Sequence, residues 1–168
     1  MDKVELMVTE ITALGEREIL ALAISLEEED VRIYRDLAEK VRPEFPDIAS
    51  ILDSMRKEEE AHHSRLHEFY LRHFGDHVLY LRRHDVKGFL RRPPLWLQPM
   101  ATPKQVLRFV LGMEAETRRY YQDAANHATS EEAQALLTEL AGAEEDHQDL
   151  LAAEVKAKRT SAGKKEIG

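Results

Sequence analysis

The chain contains no cysteine. Disulfides, thiolate-bound zinc and iron–sulfur clusters are therefore excluded, and any metal chemistry must rest on carboxylates and the eight histidines. Glycine and proline are scarce, at seven and six of 168 residues. Long stretches are thus free of the two strongest helix breakers. No apolar run reaches the roughly 18 residues of a membrane span. The N-terminus lacks the basic-then-apolar pattern of a secretory leader. Basic residues are the minority, 24 Lys and Arg against 32 Asp and Glu, for a formal charge of -8. That weighs against a nucleic-acid partner, whose footprint is usually a basic face. The expectation is one cytoplasmic domain.

What is present is Ala, Leu, Glu and Arg in helical runs. Four main helices are expected: Glu16 to Val41, Asp47 to Phe74, Pro103 to Ala128, and from near Ser130 to about Lys158. Pro43 and Pro46 stop the first, Gly75 ends the second, and Thr102 with Pro103 opens the third. Short links make the first two helices one antiparallel hairpin and the last two another. A crossover over 75–102 joins the hairpins, as in a ferritin-like four-helix bundle. The crossover is basic (Arg82, Arg83, Lys87, Arg91, Arg92) and carries Trp96; Val78 to Leu90 reads as a short helix. Residues 1–155 form the domain, and 156–168 read as a basic tail, frayed end or linker.

An internal repeat carries the argument further. Leu26-Glu27 with Tyr34 matches Met113-Glu114 with Tyr121. Met55, Glu59 and His62 match Leu140, Glu144 and His147. The chain therefore reads as two copies of one hairpin about a pseudo-twofold axis. Counting by threes and fours along the inward faces gives one acidic interruption per helix. The first seam is Leu20, Ile24, Glu27, Val31, Tyr34, Ala38; the second is Ile48, Leu52, Met55, Glu59, His62, Leu66. The third is Val110, Glu114, Thr117, Tyr121, Ala124; the fourth is Ala133, Leu137, Leu140, Glu144, His147, Leu151.

Four inward carboxylates cannot all stay ionised without counter-charge. They can protonate, or two divalent cations can balance them, with the two imidazoles completing the shells. Carboxylates plus one imidazole per ion suit iron or manganese, with zinc a possible substitute. Di-iron bundles use this pattern: a Glu from each of two helices and a Glu-x-x-His from each of the other two. Residues three apart share a helix face, so both side chains of a Glu-x-x-His reach one ion. Tyr34 and Tyr121 are either core aromatics or donors to carboxylates or His of the opposite hairpin; their symmetric repetition favours the second. Glu60 and His63 form a rival Glu-x-x-His one residue off the seam and are placed on the rim. Glu28, Asp30, Glu58, Glu116 and Glu145 also edge the seams, as surface carboxylates or an approach route for iron.

These residues resemble the ferritin-like superfamily in its rubrerythrin/erythrin branch across most of the chain. The segments "EREILALAISLEEEDVRIYRDLAE", "KEEEAHH" and "DVKGFLRRPPLWL" are similar to the N-terminal domain of membrane-bound ferritin-like proteins. In those, an erythrin domain precedes a vacuolar-iron-transporter-type membrane domain. The resemblance implies a cytosolic, usually dimeric di-iron domain at the inner membrane face, serving iron export and protecting against iron and peroxide stress. Its ligands would be Glu27, Glu59, His62, Glu114, Glu144 and His147. It also implies a longer parent protein, with the basic tail a former linker. Rubrerythrins commonly carry a further carboxylate one turn after the third-helix Glu; here that position is Thr117, beside Glu116. The chemistry implied is Fe(II) oxidation by O2 or H2O2. The alternatives are a rubrerythrin-like peroxidase, which without cysteine needs an outside reductant, and a non-enzymatic iron-responsive dimerisation or regulatory module.

Overall fold

The computed structural model describes residues 9–10, 14–82, 86–87 and 100–165. In chain order the elements are β1 (Thr9–Glu10), α1 (Glu16–Val41), α2 (Pro46–Phe74), β2 (Val86–Lys87), α3 (Pro103–His127) and α4 (Glu131–Lys165). The four helices form two hairpins, α1 packed along α2 and α3 along α4, and the hairpins meet chiefly through α1 and α3. This is an all-α bundle of the ferritin-like kind. Among the described residues the one sheet is the two-residue parallel pairing of β1 with β2, Thr9 opposite Val86 and Glu10 opposite Lys87.

The helix ends follow local chemistry. Pro46 and Pro103 open α2 and α3, where a missing N–H costs nothing. Thr102 and Gln105 form a reciprocal capping box at α3. Gly75 ends α2 with φ 87°, a left-handed conformation that only glycine adopts without strain. The Ser130 hydroxyl accepts from the Ala133 N–H at the start of α4. The Glu16 carboxylate accepts from the Thr129 N–H and from both the N–H and hydroxyl of Ser130, pinning the start of α1 to the α3–α4 link. Arg17 donates to the Tyr70 hydroxyl and the His77 carbonyl, and Tyr70 accepts from the Leu79 N–H. The start of the crossover is thereby anchored to the end of the bundle.

Two expectations change. Residues 77–82 are not helical and 86–87 form β2, so the short helix expected over Val78 to Leu90 does not form in its described part. Arg82 stacks over the Tyr80 ring, 4.6 Å from its centroid; Arg83, Arg91, Arg92 and Trp96 lie outside the described residues. The backbone of the basic tail continues α4 to Lys165, because Ala152, Ala153, Lys156, Ala157 and Lys158 are strong helix formers. Lys158 also reaches Asp47 in the first turn of α2 at 2.8 Å.

The apolar core is split in two. One cluster holds Ile19 to Ile24, Leu26, Leu66, Phe69, Tyr120, Tyr121, Leu137 and Leu140. The other holds Tyr34, Leu37, Ile48, Leu52, Met55, Val106, Val110, Met113 and Leu151. Between them in every helix lie the buried Glu27, Glu59, His62, Glu114, Glu144 and His147. No helix among the described residues is long and apolar enough to cross a membrane. Two variants test the packing in urea denaturation. Leu52→Ala, at a fully buried position, should cost about 2–5 kcal/mol. Thr102→Ala should cost about 1 kcal/mol through loss of the cap.

Candidate metal centre

The structure brings all six inward acids and imidazoles into one layer. They form two groups, Glu27–Glu59–His62–Glu144 and Glu59–Glu114–Glu144–His147, each with ligand-type atoms within 4.8 Å of one another. Glu59 and Glu144 belong to both. His62 Nδ1 lies 3.3 Å from Glu144, 3.4 Å from Glu59 and 3.8 Å from Glu27. His147 Nδ1 lies 3.3 Å from Glu59 and Glu114 and 3.5 Å from Glu144. The two rings face each other, 5.9 Å apart and 19° from parallel.

Within this layer Glu27 Oε2, both oxygens of Glu59, both oxygens of Glu144 and His62 Nδ1 are buried without a hydrogen-bond partner. His147 Nδ1 hydrogen-bonds Glu114 at 3.3 Å, but neither imidazole is aligned to satisfy Glu59 or Glu144. Orphaned buried acceptors on this scale are rare in folded proteins and call for an unseen partner. A donor set of carboxylate oxygens with one imidazole nitrogen at each end fits two hard-to-intermediate divalent cations.

The outer carboxylates are held from the opposite hairpin. The Tyr34 hydroxyl donates to Glu114, and the Tyr121 hydroxyl donates to Glu27. Both tyrosines are fully buried. Burial and the neighbouring Glu27 charge push the Tyr121 hydroxyl well above its ordinary value, so it remains a donor. Tyr120 instead donates to the Ile19 carbonyl at 2.5 Å and belongs to the core.

The remaining acidic candidates separate. Glu60 is exposed and paired with Arg56 at 2.6 Å, His63 pairs with Glu28 at 3.0 Å, and Glu145 is exposed with Arg118 at 3.6 Å. None belongs to either four-residue group, nor does the half-buried Glu116. Asp30 differs: it is buried and accepts from Thr117 at 3.0 Å. The inward face of α1 therefore runs Glu27, Asp30, Tyr34, while Val31 is only half-buried and lines an outer groove with Glu28, Arg32, Glu60, His63 and Ser64. Counting forward four from Glu27 gave Val31; counting three gives Asp30, so the signal was present but ambiguous. Asp30 and Thr117 occupy equivalent positions of the repeat, so a carboxylate on α1 faces a hydroxyl on α3. Sequence reasoning also missed Glu58 as a partner of His147, whose Nε2 contacts it directly. In the acidic run Lys57 to Glu60, nothing marks Glu58 apart from its solvated neighbours.

The sequence profile of rubrerythrin matches residues 18–155. The chain belongs to the rubrerythrin family. Among solved structures, an uncharacterised conserved protein from Magnetospirillum magnetotacticum superposes with a TM-score of 0.72 at 22% identity, covering 84% of this chain and 93% of that one. A hypothetical protein from Pyrococcus furiosus gives 0.68 at 23% identity, covering 87% and 91%. At such identities these two bear on the fold alone. No curated protein matches the chain in sequence. Rubrerythrins typically bind two irons, and the buried layer is compatible with that.

Protonation states in the layer are strongly displaced. Burial, with Glu59 and Glu144 close by, holds the Glu27 carboxyl well above the carboxylate range, and burial raises Glu59 to about 7. Burial alone would raise Glu144, but the adjacent His147 and His62 imidazoles outweigh it and the carboxyl is lowered. Burial would lower His147, but Glu144, Glu59 and Glu58 raise it to about 11. The signs follow. Glu27 and Glu59 contribute stability below about pH 4.5 that is lost as the pH rises, through about 7 for Glu59. His147 contributes stability that is complete below about pH 6.5 and lost as the pH rises towards about 11. Glu144 acts the other way, losing stability only as the pH falls below about 4.5. Chelator-stripped protein should therefore melt at progressively lower temperature between about pH 5 and about pH 9. Metal should reverse that slope, because ligation needs deprotonated groups. Melting curves across the range, with and without divalent metal, check both signs.

Proposed function

We propose that this chain binds two iron ions in the buried layer and oxidises Fe(II) with O2 or H2O2. The observation that carries the reading is the sharing of Glu59 and Glu144 by two four-residue groups, with both oxygens of each shared carboxylate buried and without a hydrogen-bond partner. Glu27, Glu59, His62 and Glu144 would hold one ion, and Glu59, Glu114, Glu144 and His147 the other. Four carboxylates balance the charge of two divalent ions, which removes the penalty for burying them. When bound, two irons supply one electron each, enough to reduce H2O2 to two waters with two protons, or O2 to H2O2.

The chain's own groups prepare for this. Tyr34 and Tyr121 fix the orientation of Glu114 and Glu27. The apolar clusters on either side keep bulk water from the layer. With no cysteine in the chain, repeated turnover draws on an external reductant. Zinc or manganese can compete for the same ligands. A homodimer, and a role in iron export and stress protection beside a transporter domain at the cytoplasmic face of a membrane, extend the proposal; their support is the likeness of three sequence segments.

Anaerobic titration should give two Fe(II) per chain. The double variant Glu59→Ala, Glu144→Ala should abolish both, since each residue serves both ions; unchanged stoichiometry contradicts the assignment. Oxidant is then supplied with and without reductant. A single round of Fe(II) oxidation fits ferroxidase chemistry, sustained H2O2 consumption with reductant fits a peroxidase, and Fe(II) stable in air fits a regulatory module.

A further inference from the structure

The repeat makes the two halves of the metal layer equivalent at six ligands and both tyrosines. It breaks at the residue before each Glu of the Glu-x-x-His pairs: Glu58 precedes Glu59, while Ala143 precedes Glu144. Glu58 crosses from α2 to α4, and its carboxylate contacts Nε2 of His147. Nδ1 of that ring faces the carboxylate layer. Among the described residues, Nε2 of His62 has no such partner, although its Nδ1 faces the same layer. Ala143 cannot supply one.

We propose that Glu58 makes the two metal positions unequal, so that the His147 position binds more tightly and loads first. The inference rests on the two-metal reading above. A carboxylate accepting the distal N–H of an imidazole fixes its tautomer and ring orientation and makes the other nitrogen a better donor. His147 receives this from Glu58, and among the described residues no carboxylate hydrogen-bonds Nε2 of His62. Glu58 is thus a positioning residue that acts through His147. Another break in symmetry places Asp30 opposite Thr117. Asp30 accepts the Thr117 hydroxyl and lies outside both four-residue groups.

The test is titration of the metal-free protein with Co(II), an iron surrogate with visible ligand-field bands. Binding is followed by those bands and by calorimetry, and folding by thermal melting. The native chain should bind two Co(II) in resolved steps. Glu58→Gln should weaken the tight step about 10–100-fold and leave the weak one unchanged. Glu58→Asp should retain part of the difference. Ala143→Glu, which places a carboxylate at the equivalent position, should strengthen the weak step. Singly loaded protein should show one paramagnetically shifted, exchangeable imidazole N–H resonance, assigned to His147 by its loss in His147→Ala. Two equal steps in the native chain overturn the proposal while leaving the two-metal reading intact. So does equal weakening of both steps by Glu58→Gln, or loss of the difference on Asp30→Asn instead. Failure to bind any Co(II) or Fe(II) overturns both.

Discussion

Four carboxylates buried at one level of a helical bundle are the constraint on which the rest of the structure depends. Glu27, Glu59, Glu114 and Glu144 are each at most 1% exposed. Ionised and unbalanced they would unfold the bundle, since even one buried unpaired charge is prohibitive. Without metal the layer relies on protons: burial favours the protonated forms of Glu27 and Glu59, and the surrounding carboxylates favour the charged form of His147. The same displacement of pKa values that makes metal-free folding possible marks the layer as a site, because strong perturbation in a buried cluster is characteristic of function.

The surrounding architecture serves that layer. Dividing the core into two apolar clusters places the polar groups at mid-height in all four helices. The tyrosines then lock the halves together, each donating from one hairpin to the outer carboxylate of the other. These two contacts give the hairpins a fixed register where their direct packing is thinner than the packing within each. The order of α1 and α2 against α3 and α4 is tied further by Glu16, which grips the α3–α4 link from the first turn of α1.

Much of this was legible in the sequence, and the reasons are specific. The six inward residues interrupt seams whose period is fixed by helix geometry, and the repeat confirms each against its twin. The long middle connection separates the hairpins for the same topological reason found in other ferritin-like bundles. Asp30 was misjudged because a step of three and a step of four are both permitted, and only packing chooses Asp30 over Val31. Glu58 was hidden because its role depends on reaching another hairpin, which one helix's periodicity cannot reveal. In its described part the helix expected after Val78 does not form, and His77 and Leu79 are instead tied to the bundle end by Tyr70 and Arg17. The basic tail read as a frayed end or linker from its basic residues with serine and glycine, whereas the α4 backbone continues to Lys165.

The rubrerythrin assignment and the buried carboxylate–imidazole layer are both compatible with a dimetal site. The central claim is that two ions share Glu59 and Glu144. Anomalous diffraction at the iron edge, on crystals loaded anaerobically with Fe(II), tests it most directly. The account predicts two peaks per chain, one beside His62 and one beside His147, both in contact with Glu59 and Glu144. A single peak, or peaks away from that layer, would contradict it.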